Sequence, residues 1–181
     1  RLLGAGDGAE LLAIRETSPD DAGIVSAIDR LSGKIRERIG ESLRTIRSGA
    51  PLEKVTTSSL EALRLYTEAN RLSDQGEMGK VVPMLQQAIA LDSGFAMAWR
   101  KLAVALSNAQ ASMDQQVAAT TKAYQNRDRL PQLERELTTA FYYNTVVSDE
   151  DQEEAAYRRL LSIDHHNGIA LNNLSLKVAS A

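Results

Sequence analysis

The chain has 181 residues, of which 43% are hydrophobic, 25% are charged and only 4% are aromatic, a composition that favours packed helices over sandwiches or barrels. Its net charge of -3 argues against a nucleic-acid partner, because binding to phosphate backbones depends on clustered lysine and arginine. It contains no cysteine, which excludes disulfides and thiolate metal sites, and no apolar run of the ~20 residues that cross a bilayer, so we expect no membrane insertion.

The first fifteen residues predict a short β-hairpin. Two apolar runs in RLLGAGDGAELLAIR flank Gly6-Asp7-Gly8, a tripeptide suited to the positive φ angles of a tight reversal. A phosphate-binding loop at these glycines is the weaker interpretation, because only three residues precede Gly4 and no Gly-Lys-Ser/Thr follows. Two strands alone are marginal in water, so we expect the hairpin to pack on the next helix or to belong to a larger sheet.

A long amphipathic helix is predicted next, from Asp20 to Ser48, after the helix-start signal Thr17-Ser18-Pro19-Asp20. Its apolar residues recur at steps of three and four, which is the period of one helical stripe. They are Ile24, Ile28, Leu31, Ile35, Ile39, Leu43 and Ile46. We expect hairpin and helix together, residues 1–50, to be the remnant of a larger upstream domain, and residues 51–57 to be a linker.

This helix also carries a run of basic residues. They are Arg30, Lys34, Arg36, Arg38, Arg44 and Arg47. No aromatic residues alternate with them, so they are weak evidence for nucleic-acid binding. We interpret them as a solvated face, or as a face that packs against the remainder of a parent protein.

From Ser58 onward the sequence repeats itself. Ser58-Ser59-Leu60-Glu61 has the spacing of a capping box and marks the start of a new helical unit. Two sets of residues recur after 34 positions: Leu65, Ala69 and Leu72 as Trp99, Ala103 and Leu106, and Leu137, Ala140 and Phe141 as Leu171, Leu174 and Ser175. The step between the two sets, from Trp99 to Leu137, is 38 residues. The insertion is expected either near Ser112-Met113-Asp114 or in the linker Arg127 to Gln132.

At this spacing the chain resembles the tetratricopeptide repeat (TPR), a helix-turn-helix unit of about 34 residues. Trp99, Leu102 and Ala103 match the large, leucine and small positions of its first helix, and Gly76 matches the turn. The resemblance covers residues 58–181. It implies a mainly α fold, a TPR-like α-α superhelix of about three helix-turn-helix repeats plus a final helix, preceded by the long helix and the N-terminal β-hairpin.

Trp99 is then interpreted as a core residue and not as the floor of a binding site. It occupies a position that leucine fills in the neighbouring units, and stacked repeats bury such residues between the two helices of one unit. We expect it to pack between the helices of its own repeat.

A narrower resemblance concerns the run from Ala27 to Leu63. It looks like the segment that leads into helical repeats in large bacterial signalling proteins, notably serine/threonine protein kinases with a TPR sensor region. The chain has no glycine-rich loop with a strand lysine and no HRD or DFG motif, so any catalysis would belong to another part of the parent. We expect a piece of a longer bacterial protein, on the cytoplasmic or extracytoplasmic side of a membrane-tethered parent.

Two polar features could carry chemistry, and each has a simpler interpretation. Asp164-His165-His166 lacks a third metal ligand at helical spacing and is expected in a loop between repeats. The acidic run from Ser148 to Glu154 lacks the spaced ligands of a calcium loop and fits a helix start, where the dipole favours negative charge. No serine lies in a nucleophile elbow, so we predict no catalytic, metal or cofactor site, and no enzyme.

The function predicted from the repeats is a non-catalytic protein-protein interaction or sensor module that binds a protein or peptide. First helices of successive TPR units line a concave surface, and aromatic, arginine and amide side chains suit an interface there. The predicted groove residues are Tyr66, Asn70, Arg100, Val104, Asn108, Tyr142, Thr145 and Asn172. Only Arg100 is basic, so a receptor that clamps carboxylates is disfavoured.

Three alternatives to peptide binding remain open. Exposed repeat ends or the long helix could mediate self-association into a homo-oligomer, or the region could be a spacer in a serine/threonine kinase or transcriptional regulator. An enzyme site hidden in the groove is motivated only by the abundance of carboxylates.

Overall fold

The structure, a computed structural model, describes residues 2–3, 10–20, 23–38 and 56–180. Within these ranges the regular elements are two short strands and eight α-helices, with one 3₁₀ turn and one π turn. The chain divides into two compact units, residues 1–60 and 61–181.

The first unit opens with a short antiparallel pairing of β1 (Leu2–Leu3) and β2 (Glu10–Leu12). Leu2 lies opposite Leu12 and Leu3 opposite Glu10, with an irregular register between them. The turn expected at Gly6-Asp7-Gly8 lies outside the described residues, so the hairpin stays a prediction.

The helix of the first unit, α1, runs from Ile24–Arg38 within the predicted segment. Its buried residues are Val25 and Ala27, whereas Ile28 of the expected apolar stripe is 43% exposed. The buried face of α1 is therefore not the one that the apolar stripe of the sequence predicts. Residues 39–55, which include the predicted end of the helix and most of the linker, lie outside the described ranges.

Two of the basic residues on α1 pair with an acid from the preceding segment. Glu16 contacts Lys34, and Arg30 Nε lies 3.3 Å from Glu16 Oε2. The hydrogen bond from Lys34, followed by the one from Arg30, holds the pKa of Glu16 below its usual range. Part of the basic face is thus neutralised within the first unit.

The second unit consists of three helix pairs and a final helix. The pairs are α2 (Leu60–Asp74) with α3 (Met78–Leu91), α4 (Ala96–Asn108) with α5 (Met113–Gln125), and α6 (Gln132–Tyr142) with α7 (Glu150–Ile163); α8 spans Gly168–Ser180. The first helices of successive units begin at intervals of 36 residues. The prediction of a mainly α, TPR-like repeat fold is confirmed.

Each helix pair turns through one residue in the left-handed backbone region. These are Gly76 (φ 78°), Gln110 (φ 52°) and Ser148 (φ 58°), separated by 34 and 38 residues. Glycine adopts this conformation at little cost, whereas other residues are strained there. The second and third units make the same turn without the glycine that the first unit has.

Two of the four extra residues between the second and third units lie where the linker Arg127 to Gln132 was proposed, because the connection 126–131 has six residues and the other inter-repeat connections have four. A 3₁₀ turn, Arg127–Arg129, occupies this connection, whereas the other inter-repeat connections, 92–95 and 164–167, contain no helical turn. α6 also continues into a π turn, Tyr143–Val147, before the left-handed Ser148.

The loops that join successive repeats are closed by an aspartate. Asp92 Oδ1 accepts a hydrogen bond from the N–H of Gly94 at 2.9 Å, and Asp164 Oδ1 accepts one from the N–H of His166 at 3.2 Å. Such side-chain turns fix the backbone direction after a helix. The matched segments 88–92 and 160–164 therefore end in the same local structure.

The buried residues of the second unit form two clusters. The first draws on α2 to α5 and includes Leu85 and Leu102; the second draws on α6 to α8 and includes Leu137 and Leu160. Trp99 packs against the first cluster, and its Nε1 donates to Ser93 O at 2.8 Å. Trp99 is therefore a partly buried residue that flanks this cluster, and its packing between the two helices of its own repeat stays a prediction.

None of the described helices combines the length and the apolar character needed to span a bilayer.

Candidate functional site

A half-open cavity of about 210 Å³ lies in the second unit where five helices converge. Its walls come from α4 to α8 and are mainly apolar. The lining residues are Arg100, Ala103, Val104, Thr120, Ala123, Leu137, Thr138, Phe141, Tyr157 and Ile169. The cavity joins the two core clusters, since Ala103 belongs to the first and Leu137 and Tyr157 belong to the second.

Small side chains leave the space that forms the cavity. Ala103 and Ala123 both line the cavity, and each is only 1% exposed. The interior of a folded protein is otherwise packed about as densely as a crystal of small organic molecules. A leucine at either position would occupy part of this volume.

The two threonines in the cavity wall have their hydroxyl protons committed. Thr120 Oγ1 donates to Gln116 O at 2.7 Å, and Thr138 Oγ1 donates to Glu134 O at 2.8 Å. Each bond runs to the carbonyl one helical turn earlier. The threonines therefore present mainly their methyl groups to the cavity. The other polar side chains in the wall are those of Arg100 and Tyr157.

Arg100 is the cation of the cavity wall, and it pairs with an acid on the neighbouring first helix. Its Nε lies 2.7 Å from Glu134 Oε2, and both side chains are about three-quarters buried. The pair is poorly aligned, because Glu134 Oε2 is buried without a hydrogen-bond partner. Arg100 thus links α4 to α6 mainly through charge.

Tyr157 is the other polar residue of the wall, and it is 6% exposed. Burial, with a smaller contribution from the charge of Glu153, raises its pKa to about 12. The phenol therefore stays protonated at neutral pH. Among the described residues its hydroxyl makes no hydrogen bond.

The predicted groove residues lie in several different environments. Arg100 and Val104 line the cavity, whereas Tyr66 packs against the core with its ring 5.1 Å from that of Phe95. The others are Asn70 and Thr145, which are half-buried, and Asn108 and Asn172, which are exposed. Their part in binding a protein stays a prediction.

Tyr142, also predicted for the groove, belongs to an aromatic stack, and its part in binding a protein stays a prediction. Its ring is parallel to that of Tyr124 on α5, with centroids 3.9 Å apart, and Tyr143 meets both rings edge-on. The guanidinium of Arg127 covers the Tyr124 ring at 4.0 Å. This cluster ties the π turn to α5 and to the 3₁₀ turn.

The polar features singled out in the sequence have structural roles. His165 and His166 lie in the loop between α7 and α8, as expected. The acidic run starts α7, where the side chain of Asp149 accepts from Gln152 N at 3.0 Å, so the predicted helix start is confirmed. In the described part of the chain, no three His, Asp or Glu side chains are grouped to hold a metal ion.

Sequence reasoning missed the walls contributed by the second helices. Thr120, Ala123 and Tyr157 lie on α5 and α7, and the groove was predicted only from first helices. The available signal was the series of small residues in AATTKA, from Ala118 to Ala123. Small residues on a packed helix indicate either close helix approach or free volume.

No protein-family model matches the chain, and no curated protein matches it. Among solved structures, the chain is similar to the Arabidopsis OM64 TPR domain, with a TM-score of 0.47 and 18% sequence identity over 60% of this chain and 87% of that one.

Proposed function

We propose that the second unit is a non-catalytic protein-interaction module whose first helices bind an extended peptide segment. The observation that carries the proposal is the half-open apolar cavity on a helical-repeat scaffold, with Arg100 and Val104 of α4 in its wall. Interfaces of this kind combine an apolar centre with a few oriented polar groups. The resemblance of residues 27–63 to bacterial kinase sensor regions supports a place in a larger signalling protein.

The test is selection from a random-peptide display library on the immobilised chain. Val104→Lys places a charge at the cavity, and Ala118→Lys places the same charge on an exposed site of α5. Equal helicity by circular dichroism establishes that both variants are folded.

The two variants are expected to differ in peptide affinity. Peptides enriched by the wild type should still bind Ala118→Lys and should bind Val104→Lys at least tenfold more weakly, because a buried charge opposes apolar contact. If no peptide is enriched, or if both variants bind equally well, the proposed peptide site is wrong.

Self-association is a second candidate, favoured by an apolar stripe on α8. Ile169 and Leu176 lie seven positions apart, on one side of the helix, and are 52% and 61% exposed. Exposed apolar faces of repeat ends are covered by capping repeats or by partners. Light scattering over a concentration series, with Leu176→Lys as the variant, would detect a dimer that the substitution dissociates.

A further inference from the structure

We infer that the cavity binds a small neutral organic molecule with an aromatic or branched aliphatic body and one carbonyl-type hydrogen-bond acceptor. The inference goes beyond peptide binding and does not depend on it. It rests on the volume of the cavity, the chemistry of its wall and the free hydroxyl of Tyr157.

Volume limits the size of the ligand. Apolar cavities of roughly 150 Å³ bind benzene, so a cavity of about 210 Å³ holds a ring with a short substituent. Side chains such as Val104, Leu137 and Phe141 offer this ring an apolar surface. A longer ligand would have to project through the open side.

The free polar groups of the wall are donors. The Tyr157 hydroxyl has no hydrogen bond among the described residues, and Arg100 is ion-paired with Glu134 through its Nε. A guanidinium only donates, and a protonated phenol donates readily. Because Arg100 is already paired with Glu134, an oxygen acceptor on the ligand would take its one hydrogen bond from the Tyr157 hydroxyl.

Charge balance favours a neutral acceptor over a carboxylate. Glu134 already offsets the charge of Arg100, and the buried Glu153 lies one helical turn before Tyr157 and acts on it electrostatically. Bringing a further anion into this wall would add repulsion in a poorly solvated site. A ketone, ester, lactone or amide oxygen avoids that cost.

The probes are acetophenone, ethylbenzene and benzoate, which have similar size and differ in the polar group. Each is titrated into the whole chain while the methyl NMR signals of Val104, Leu137 and Ile169 are followed. Acetophenone should bind saturably, and about fivefold more tightly than ethylbenzene, since one neutral hydrogen bond separates them. Benzoate should bind more weakly than acetophenone.

Tyr157→Phe is the decisive variant, because it keeps the ring and removes the hydroxyl. It should lower acetophenone affinity to that of ethylbenzene and leave ethylbenzene binding unchanged. Tyr143→Phe, outside the cavity wall, is the matched control and should change neither affinity. Val104→Phe should reduce the binding of both probes because the larger side chain fills the cavity. Ile169 is more exposed than Val104, so Ile169→Trp should reduce the binding of both probes by covering the cavity.

Several results would overturn the inference. It is wrong if acetophenone does not bind, if benzoate binds most tightly, or if Tyr157→Phe leaves the preference for acetophenone intact. A failure of acetophenone to bind would not contradict the proposed peptide site. That site is tested by peptide display with Val104→Lys, whereas the small-molecule site is tested by NMR titration with Tyr157→Phe. Failure of one proposal is therefore distinguishable from failure of the other.

Discussion

Tyr157 has two consequences at the scale of a single residue. It lines the cavity with a hydroxyl that makes no hydrogen bond among the described residues, and it makes stability depend on pH. Its pKa in the folded chain is about 12, above the ordinary value near 10, because the phenolate would lose solvation in the core. The stabilising effect is therefore complete below pH 10 and is lost as the pH rises from 10 through 12.

We expect alkaline destabilisation of the wild type that Tyr157→Phe reduces. Between pH 10 and pH 11 the wild type should lose roughly 1 kcal/mol more of its free energy of unfolding than the variant, after allowance for partial screening. Urea unfolding at pH 8, 10 and 11 measures the difference. Parallel pH dependence in the two proteins would show that Tyr157 ionises freely in the folded chain.

The helices were predictable from the sequence wherever apolar residues recur at a regular spacing. The alignment of Leu65 with Trp99, and of Leu137 with Leu171, located the helix pairs because each repeat must bury the same face. Trp99, which the period assigned to the core, is partly buried against the first cluster. In α1 the same reasoning failed, because Val25 and Ala27 are buried while Ile28 is not.

The cavity was predictable only in part, because a pocket is defined by missing volume. Counting along α4 found Arg100 and Val104, but on α6 the residues in the wall are Thr138 and Phe141, and Tyr142 stacks on α5. Neither the π turn nor the unpaired Tyr157 hydroxyl has a periodic signal. Such features depend on how whole helices pack.

The turns within the helix pairs provide a prediction at the scale of elements. Gly76→Ala should lower the free energy of unfolding by about 1 kcal/mol, because alanine is strained at φ 78°. Nothing lies within 4 Å of the added methyl group, so the effect is conformational. In the second unit, Gln110→Gly should stabilise by up to about 1 kcal/mol, since it relieves the same strain.

Gly79→Ala is the matched control for these turn variants. Gly79 lies in the first turn of α3 and also has no neighbour within 4 Å of an added methyl group. Alanine favours helix there, so the variant should be neutral or slightly more stable. Urea unfolding of all three proteins measures the changes, and a Gly76→Ala variant as stable as Gly79→Ala would contradict the assigned backbone strain.

At the scale of the whole molecule, the cavity lies where the two buried clusters of the second unit meet. Repeat proteins gain stability from each unit and from contacts between neighbours, so weak coupling allows parts to unfold separately. A cavity at the junction removes contacts that would otherwise couple the clusters. A ligand bound there would restore them and make unfolding more cooperative.

Trp99 makes this partial unfolding measurable, because it is the only tryptophan in the chain and packs on the first cluster. Leu160→Ala should remove roughly 2 to 5 kcal/mol from the second cluster and lower the urea midpoint seen by circular dichroism more than the one seen by Trp99 fluorescence. Leu85→Ala is matched to it, since both leucines are fully buried, but should lower the fluorescence midpoint directly. Equal shifts of both signals in Leu160→Ala would mean that the repeats unfold as one block, and that the cavity does not weaken their coupling.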